Sequence, residues 1–222
     1  MTTMADEARP TFADRVKFQL LRLGRRNVGV LKRALRPPSW PAASDGRLRL
    51  HVGCGMVDAP EFVNVDLFAA PHVHVQTSID DLSIFPDGCA DLVYACHCLE
   101  HFGFRHSSSV LREWVRVLRP GGVLRIGVPD FAVIARAYGA GGSLRELQSL
   151  LLGGQDYRLN FHAAVFDEAT LTALMNQAGI VDVHRWDPAT VDHHAFTDES
   201  SITCPVGNET VPLSLNLEGR KQ

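Results

Sequence analysis

The 222-residue chain is 45% hydrophobic and 21% charged, with a formal net charge of −3. That composition suits one globular domain and excludes a collagen-like, disulfide-scaffold or disordered chain. The sequence has no run of about 18 apolar residues and its start lacks a continuous apolar core, so neither a membrane span nor a secretory signal is expected.

The charge is unevenly placed. Residues 1–49 hold 11 Lys and Arg against 4 Asp and Glu; residues 50–222 hold 11 against 21. The acidic body argues against a nucleic-acid-binding face, so no nucleic-acid partner is expected. Cys54, Cys89, Cys96, Cys98 and Cys204 are an odd number without framework spacing. Reduced thiols and a cytoplasmic location follow most simply. Cys96-His97-Cys98 has no second ligand pair at zinc spacing, so no metal is expected.

Residues 1–46 form a basic arm and linker, and 47–222 the body. Phe12, Val16, Leu20, Leu23, Val30 and Ala34 recur near helical spacing over 12–35, ringed by Arg and Lys. Gly24 and Gly29 weaken that helix by roughly 1 kcal/mol each. Pro37-Pro38 stops it, and 37–46 is a linker. Such a helix can lie on an anionic membrane as a peripheral contact. It can equally pack on its own domain with a solvated basic face.

The body opens with the most informative stretch. The apolar run 48–52 enters Gly53-Cys54-Gly55, and a second run, 62–65, ends in Asp66. Glycines at a strand's carboxyl end let the backbone approach a ligand. An acid at the tip of the next strand can accept both hydroxyls of a ribose. A dinucleotide fingerprint needs a third glycine where Asp58 stands, and an acid about 20 residues on. The gap from Gly55 to Asp66 barely holds two helical turns.

Further strands are expected at 72–75, 91–95, 123–128, 180–186 and 211–217. A helix over 107–118 places Val110, Leu111, Trp114, Val115 and Leu118 on one face behind a serine cap. Arg119-Pro120-Gly121-Gly122 is a turn into the next strand. Residues 131–160 carry helical pieces jointed at Gly139–Gly142 and Gly153-Gly154, suited to a lid or a surface hairpin. A helix over 168–178 ends at Gly179. A second long connection, 187–210, carries Asp192, His193 and His194, which either reach the substrate mouth or stay solvated. Alternating β and α elements predict an α/β fold with a parallel sheet and helices on both faces.

His97-Cys98-Leu99-Glu100-His101 follows the fourth strand, and Pro129-Asp130 closes the fifth. With HVGCG and LRPGG in this order, residues 48–186 resemble class I S-adenosylmethionine-dependent methyltransferases, near the type 11 small-molecule group. The resemblance implies a Rossmann-like seven-stranded sheet, the last strand antiparallel, with S-adenosyl-L-methionine as cofactor and a small-molecule acceptor. It implies that Gly53, Cys54 and Gly55 line the methionine end and that Asp66 holds the ribose. Ser78, Ile79 and Asp80 would border the adenine, although the family often has an acid where Ser78 stands. Ala95, Cys96 and His97 would run beneath the sulfonium. The short link to Asp66 leaves the usual first helix truncated or missing, and the arm is the candidate to cover the surface exposed.

A hydroxyl acceptor would be served by a base of near-neutral pKa. His97, His101 and His162 are candidates, with His97 and His162 the foremost, and Asp130 sits where ligand contacts collect. Each histidine can also be a structural one held by a carbonyl, and Glu100-His101 can simply cap its segment. A nicotinamide dehydrogenase, or a membrane- or partner-binding module with an inactive nucleotide fold, are the competing functions.

Overall fold

The computed structural model describes Val28, Leu31, Leu35, Trp40, Pro41 and residues 43–222. The helix expected over 12–35 lies outside the described residues except for Val28, Leu31 and Leu35, which are helical. From residue 49, apolar runs become strands β1 (Arg49–Val52), β2 (Val63–Asp66), β3 (Val75–Gln76), β4 (Ala90–Cys96), β5 (Leu118–Pro129) and β6 (Ile180–Arg185). Strands β7 (Thr203–Val206) and β8 (Glu209–Pro212) form a separate hairpin, and β9 (Ser214–Lys221) returns to the main sheet. The sheet order is β3-β2-β1-β4-β5-β9-β6. Pairs among β1 to β5 are parallel, and β9 runs antiparallel to both β5 and β6. Every residue of β1 and β2 is buried, as expected of parallel strands covered on both faces.

Among the described residues, four helices pack around it: α1 (Ser107–Val117), α2 (Phe131–Gly139), α3 (Leu144–Leu152) and α4 (Glu168–Gln177). The main core joins Leu50, Val63 and Leu124 of the sheet to Trp114 of α1 and to Leu171 and Met175 of α4. The Trp114 indole N–H donates to the Ile79 carbonyl at 2.8 Å, so the largest core side chain leaves no unpaired donor. Asp167 caps α4 by accepting from the Thr170 N–H at 2.8 Å. Gly179, at φ +96°, ends it as expected.

Four local expectations are corrected. The third strand is only Val75–Gln76, because the His74 ring takes the Asn64 N–H at 2.9 Å in place of a strand carbonyl. The run 211–217 breaks at Leu213. Its N–H donates to the Ile202 carbonyl, and its carbonyl accepts from the Asp130 N–H, so the chain passes from hairpin to sheet there. Residues 119–122 loop out within β5, since Ala90 pairs with Leu118 and Leu92 with Val123. Helix α1 has no serine cap: His106 is the N-cap residue, and the Ser109 hydroxyl instead donates back to the His106 carbonyl at 2.8 Å.

No helix lies between β1 and β2 among the described residues, in line with the short link. The bare face of His51, Phe62 and Tyr94 is covered by Trp186, His194 and Phe196 from the connection after β6. The arm is the expected cover; among the described residues that connection supplies it. The Tyr94 hydroxyl donates to Asp198 beneath it. His193 instead meets Glu61 and Arg49 at the surface.

Burial holds the His51 imidazole neutral, down to about 4, and the nearby His194 and His72 add to that while Asp198 opposes it. A histidine whose folded pKa lies below its unfolded value binds fewer protons folded than unfolded. Its neutral form is therefore fully tolerated above about pH 6.5, and stability is lost as pH falls from there towards about 4. The loss reaches roughly 3 kcal/mol. Melting curves across this window should fall more steeply for the wild type than for His51→Phe, whose ring fills the same aromatic cluster without titrating. Parallel curves would clear His51 of the acid sensitivity.

Candidate active site

The glycine turn, Asp66 and His97 stand at the carboxyl ends of β1, β2 and β4, with β1 paired to both of the others. Gly53, at φ +72°, leaves β1 and donates its N–H to the Val65 carbonyl at 2.8 Å. A Cβ there would stand 3.0 Å from both Cβ and Sγ of Cys98, so the turn requires glycine. Gly55, at φ +54°, faces open space. Its N–H donates to Asp66 Oδ2 at 2.9 Å, while the Phe68 N–H donates to Oδ1 at 2.8 Å. Each carboxylate oxygen keeps a further lone pair. Cys54 is buried, and burial beside Asp66 pushes its thiol up to about 12, so it contributes shape and no nucleophile.

The expected adenine border is built differently from a simple acidic contact. The Ser78 hydroxyl donates to Asp80 Oδ1 at 2.5 Å, and Asp80 Oδ2 lies 3.4 Å from His106 Nε2. Ile79 is buried against the Gly53 turn, where its Cδ1 would be 3.6 Å from an added Cβ. From 131–160, Tyr157 reaches across to pack its ring edge on Phe68, centroids 6.0 Å apart, two residues beyond Asp66.

Ala95 and Cys96 end β4 with their side chains in separate cores on opposite faces of the sheet, so only their backbone can border a ligand. His97 follows in the left-handed region at φ +47°, its N–H on the Gly127 carbonyl at 2.9 Å. Such strain in a non-glycine residue collects at functional sites. Its Nε2 is 3.0 Å from Ser214 Oγ; Ser214 donates to Asn216 Oδ1 at 2.8 Å, and Asn216 donates to the Ser200 carbonyl at 2.9 Å. The chain of donors makes Nε2 the protonated ring nitrogen and leaves the lone pair on Nδ1. Beyond Ser214 and Asn216 lies a cavity of about 580 Å³, lined also by Trp186, Phe196 and Thr197.

The fold brings His97 and His162 together. His97 Nδ1 is 3.8 Å, and His162 Nε2 3.9 Å, from the same oxygen of Glu100. Burial, then the His162 charge, lowers the His97 imidazole to about 4. Burial, then His101, lowers His162 as well. Burial raises Glu100 to about 8. Asp130 is not part of this group. Its Oδ1 caps α2 through the Ala132 N–H at 2.9 Å, and Oδ2 lies 3.5 Å from Arg185. Its position at the end of β5 reflects capping.

Glu100, Ser214 and Asn216 were not singled out in the sequence as site residues. Ser214 and Asn216 carried a signal: they are the polar alternates in the otherwise apolar run 213–217. Glu100 had none beyond its neighbour His101, since its partner His162 is 62 residues away.

A family model described as a methyltransferase domain matches residues 50–126, from β1 into β5. Over these residues the chain resembles a type 11 methyltransferase domain. Methyltransferases of that family use S-adenosylmethionine. No curated protein shows a similar sequence. Among solved structures, a SAM-dependent methyltransferase from Archaeoglobus fulgidus superposes with a TM-score of 0.51 at 14% identity, covering 92% of this chain and 99% of its own. A SAM-dependent methyltransferase from Thermotoga maritima, a possible histamine N-methyltransferase, gives 0.48 at 14% identity, covering 95% and 96%. The 1,6-didemethyltoxoflavin-N1-methyltransferase of Burkholderia thailandensis gives 0.47 at 17% identity, covering 99% and 93%. The residues at these strand ends fit such a cofactor: a glycine faces open space at Gly55, and a carboxylate with lone pairs to spare stands beside it at Asp66.

Proposed function

We propose that this methyltransferase transfers a methyl group to a hydroxyl of a small-molecule acceptor, a sugar, glycan precursor or secondary metabolite. The observation that carries this is His97: a strained residue at the end of β4 whose Nε2 is tied to Ser214, leaving the lone pair of Nδ1 to accept a proton. The cofactor supplies a methyl group already activated on a sulfonium. Gly53 and Gly55 let the backbone close on its methionine end, and Asp66 accepts from the ribose hydroxyls. Ser78, Ile79 and Asp80 border the adenine. His97 takes the acceptor's proton at Nδ1 as the new carbon–oxygen bond forms. The segment 131–160 acts as a lid, and the Tyr157–Phe68 contact supports its lying over these strand ends. The five free cysteines support a cytoplasmic setting.

Calorimetric titration tests the cofactor half directly. S-adenosylhomocysteine should bind in roughly the micromolar range, and NAD should give no heat. The reverse order of affinities would return the chain to the dehydrogenase class.

A second role belongs to the arm. Val28, Leu31 and Leu35 are helical, lie at one-face spacing and are 53%, 58% and 73% exposed. Arg25, Arg26, Lys32, Arg33 and Arg36 flank them in sequence. This pattern supports peripheral contact with an anionic membrane. The chain should co-sediment with phosphatidylserine vesicles at low salt and be released at high salt, where screening sets in within about 10 Å. Deleting residues 1–36 should abolish sedimentation and leave S-adenosylhomocysteine binding intact. Sedimentation indifferent to both arm and salt would end this role.

A further inference from the structure

The turn after β4 carries a feature that methyl transfer does not require. Glu100 is 1% exposed, and neither carboxylate oxygen has a hydrogen-bond partner. A carboxyl buried in this way costs free energy unless something compensates it. His101 and His162 stand beside it, and their rings meet edge to face with centroids 5.1 Å apart. One donor atom from each of Glu100, His101 and His162 lies within 4.8 Å of the other two.

Both imidazoles are turned for ligation. His101 Nδ1 is 3.1 Å from the Phe161 carbonyl, and His162 Nδ1 is 3.1 Å from the Leu150 carbonyl. A carbonyl only accepts, so each Nδ1 carries the proton and each Nε2 keeps its lone pair. Carbonyl-held Nδ1–H with free Nε2 is the arrangement in which histidine ligates metals. The backbone supports the register: the Ala163 and Ala164 N–H groups donate to the Glu100 carbonyl at 2.8 and 3.1 Å. Two pieces of chain are thereby clamped with their donors converging on Glu100.

We propose that Glu100, His101 and His162 bind a divalent transition-metal cation of the zinc class. Two neutral imidazoles and one carboxylate suit such a cation and are poor in oxygen donors for magnesium or calcium. Bonds of about 2.1 Å put tetrahedral donors roughly 3.4 Å apart, so binding draws the three inward by about an ångström. The cation satisfies the buried carboxylate and leaves a coordination position open beside His97. The site rests on side-chain geometry alone and stands whether or not the acceptor is a hydroxyl.

The experiment uses the full chain without a histidine tag, stripped with chelator and then dialysed. Titration with Zn²⁺ should reveal one tight site per chain. Co²⁺ should produce the visible absorption bands of a low-coordinate site carrying nitrogen ligands. Glu100→Gln keeps the shape of the side chain and should still fold, yet weaken Zn²⁺ by about 100-fold or more, beyond the usual cost of disturbing an outer partner. His162→Ala should do the same and erase the Co²⁺ bands, with S-adenosylhomocysteine binding reporting that each variant is folded. Zn²⁺ binding that is absent in the wild type, or undiminished in both folded variants, overturns the proposal.

Discussion

Asp66→Ala should lower affinity for S-adenosylhomocysteine by about 30- to 1,000-fold. Two charge-assisted hydrogen bonds to a ribose are worth roughly 2–4 kcal/mol together. The carboxylate also holds the Gly55 and Phe68 N–H groups, which tie the glycine turn to the tip of β2. Removing it therefore loosens the turn as well as deleting the contact. Asp66→Asn separates the two effects. The amide keeps an acceptor for one backbone N–H and loses the charge, so its affinity should fall between wild type and alanine. Calorimetry on both variants, with thermal melts confirming the fold, measures this. A folded alanine variant with wild-type affinity would remove Asp66 from the cofactor site.

His97→Ala should lower turnover by roughly 10²- to 10⁴-fold, the usual share of a general base. Cofactor affinity should stay within a few-fold, because the ring lies past the strand end and Asp66 is untouched. The measurement is S-adenosylhomocysteine release with a panel of hydroxylated acceptors. His193→Ala is the comparison: His193 pairs with Glu61 and Arg49 at the surface, so turnover should barely change. Wild-type turnover in His97→Ala would mean that catalysis proceeds by positioning alone, or that the acceptor arrives already ionised. Between the two foremost histidines the geometry favours His97. The His162 lone pair is directed at Glu100 and His101, and its other nitrogen is held by the Leu150 carbonyl.

The seven-stranded fold was legible in the sequence because its strands are near-continuous apolar runs and its glycine turns have few other uses. HVGCG and Asp66 mark the carboxyl ends of β1 and β2, since each lies within a few residues of the strand that positions it. The short link was equally legible, as the 11 positions from Gly55 to Asp66 barely hold two helical turns and so imply a first helix truncated or missing. Local competition was harder to read. That a histidine ring would replace a strand carbonyl at Asn64, or that Asp130 would cap a helix, depends on which of several available partners is nearer in space.

Tertiary structure alone decided the surroundings of His97 and Glu100. Ser214 reaches His97 from 117 residues away, and it does so because the last strand inserts between β5 and β6. His162 meets Glu100 only because the residues after the lid fold back onto the turn beyond β4. Trp186, His194 and Phe196 cover the face left by the absent helix because the connection after β6 is long enough to cross to β1. A sequence records spacing along one dimension, so it determines the elements whose partners are neighbours. Which distant side chains converge is set by sheet order and loop path, and those depend on how all the elements pack together.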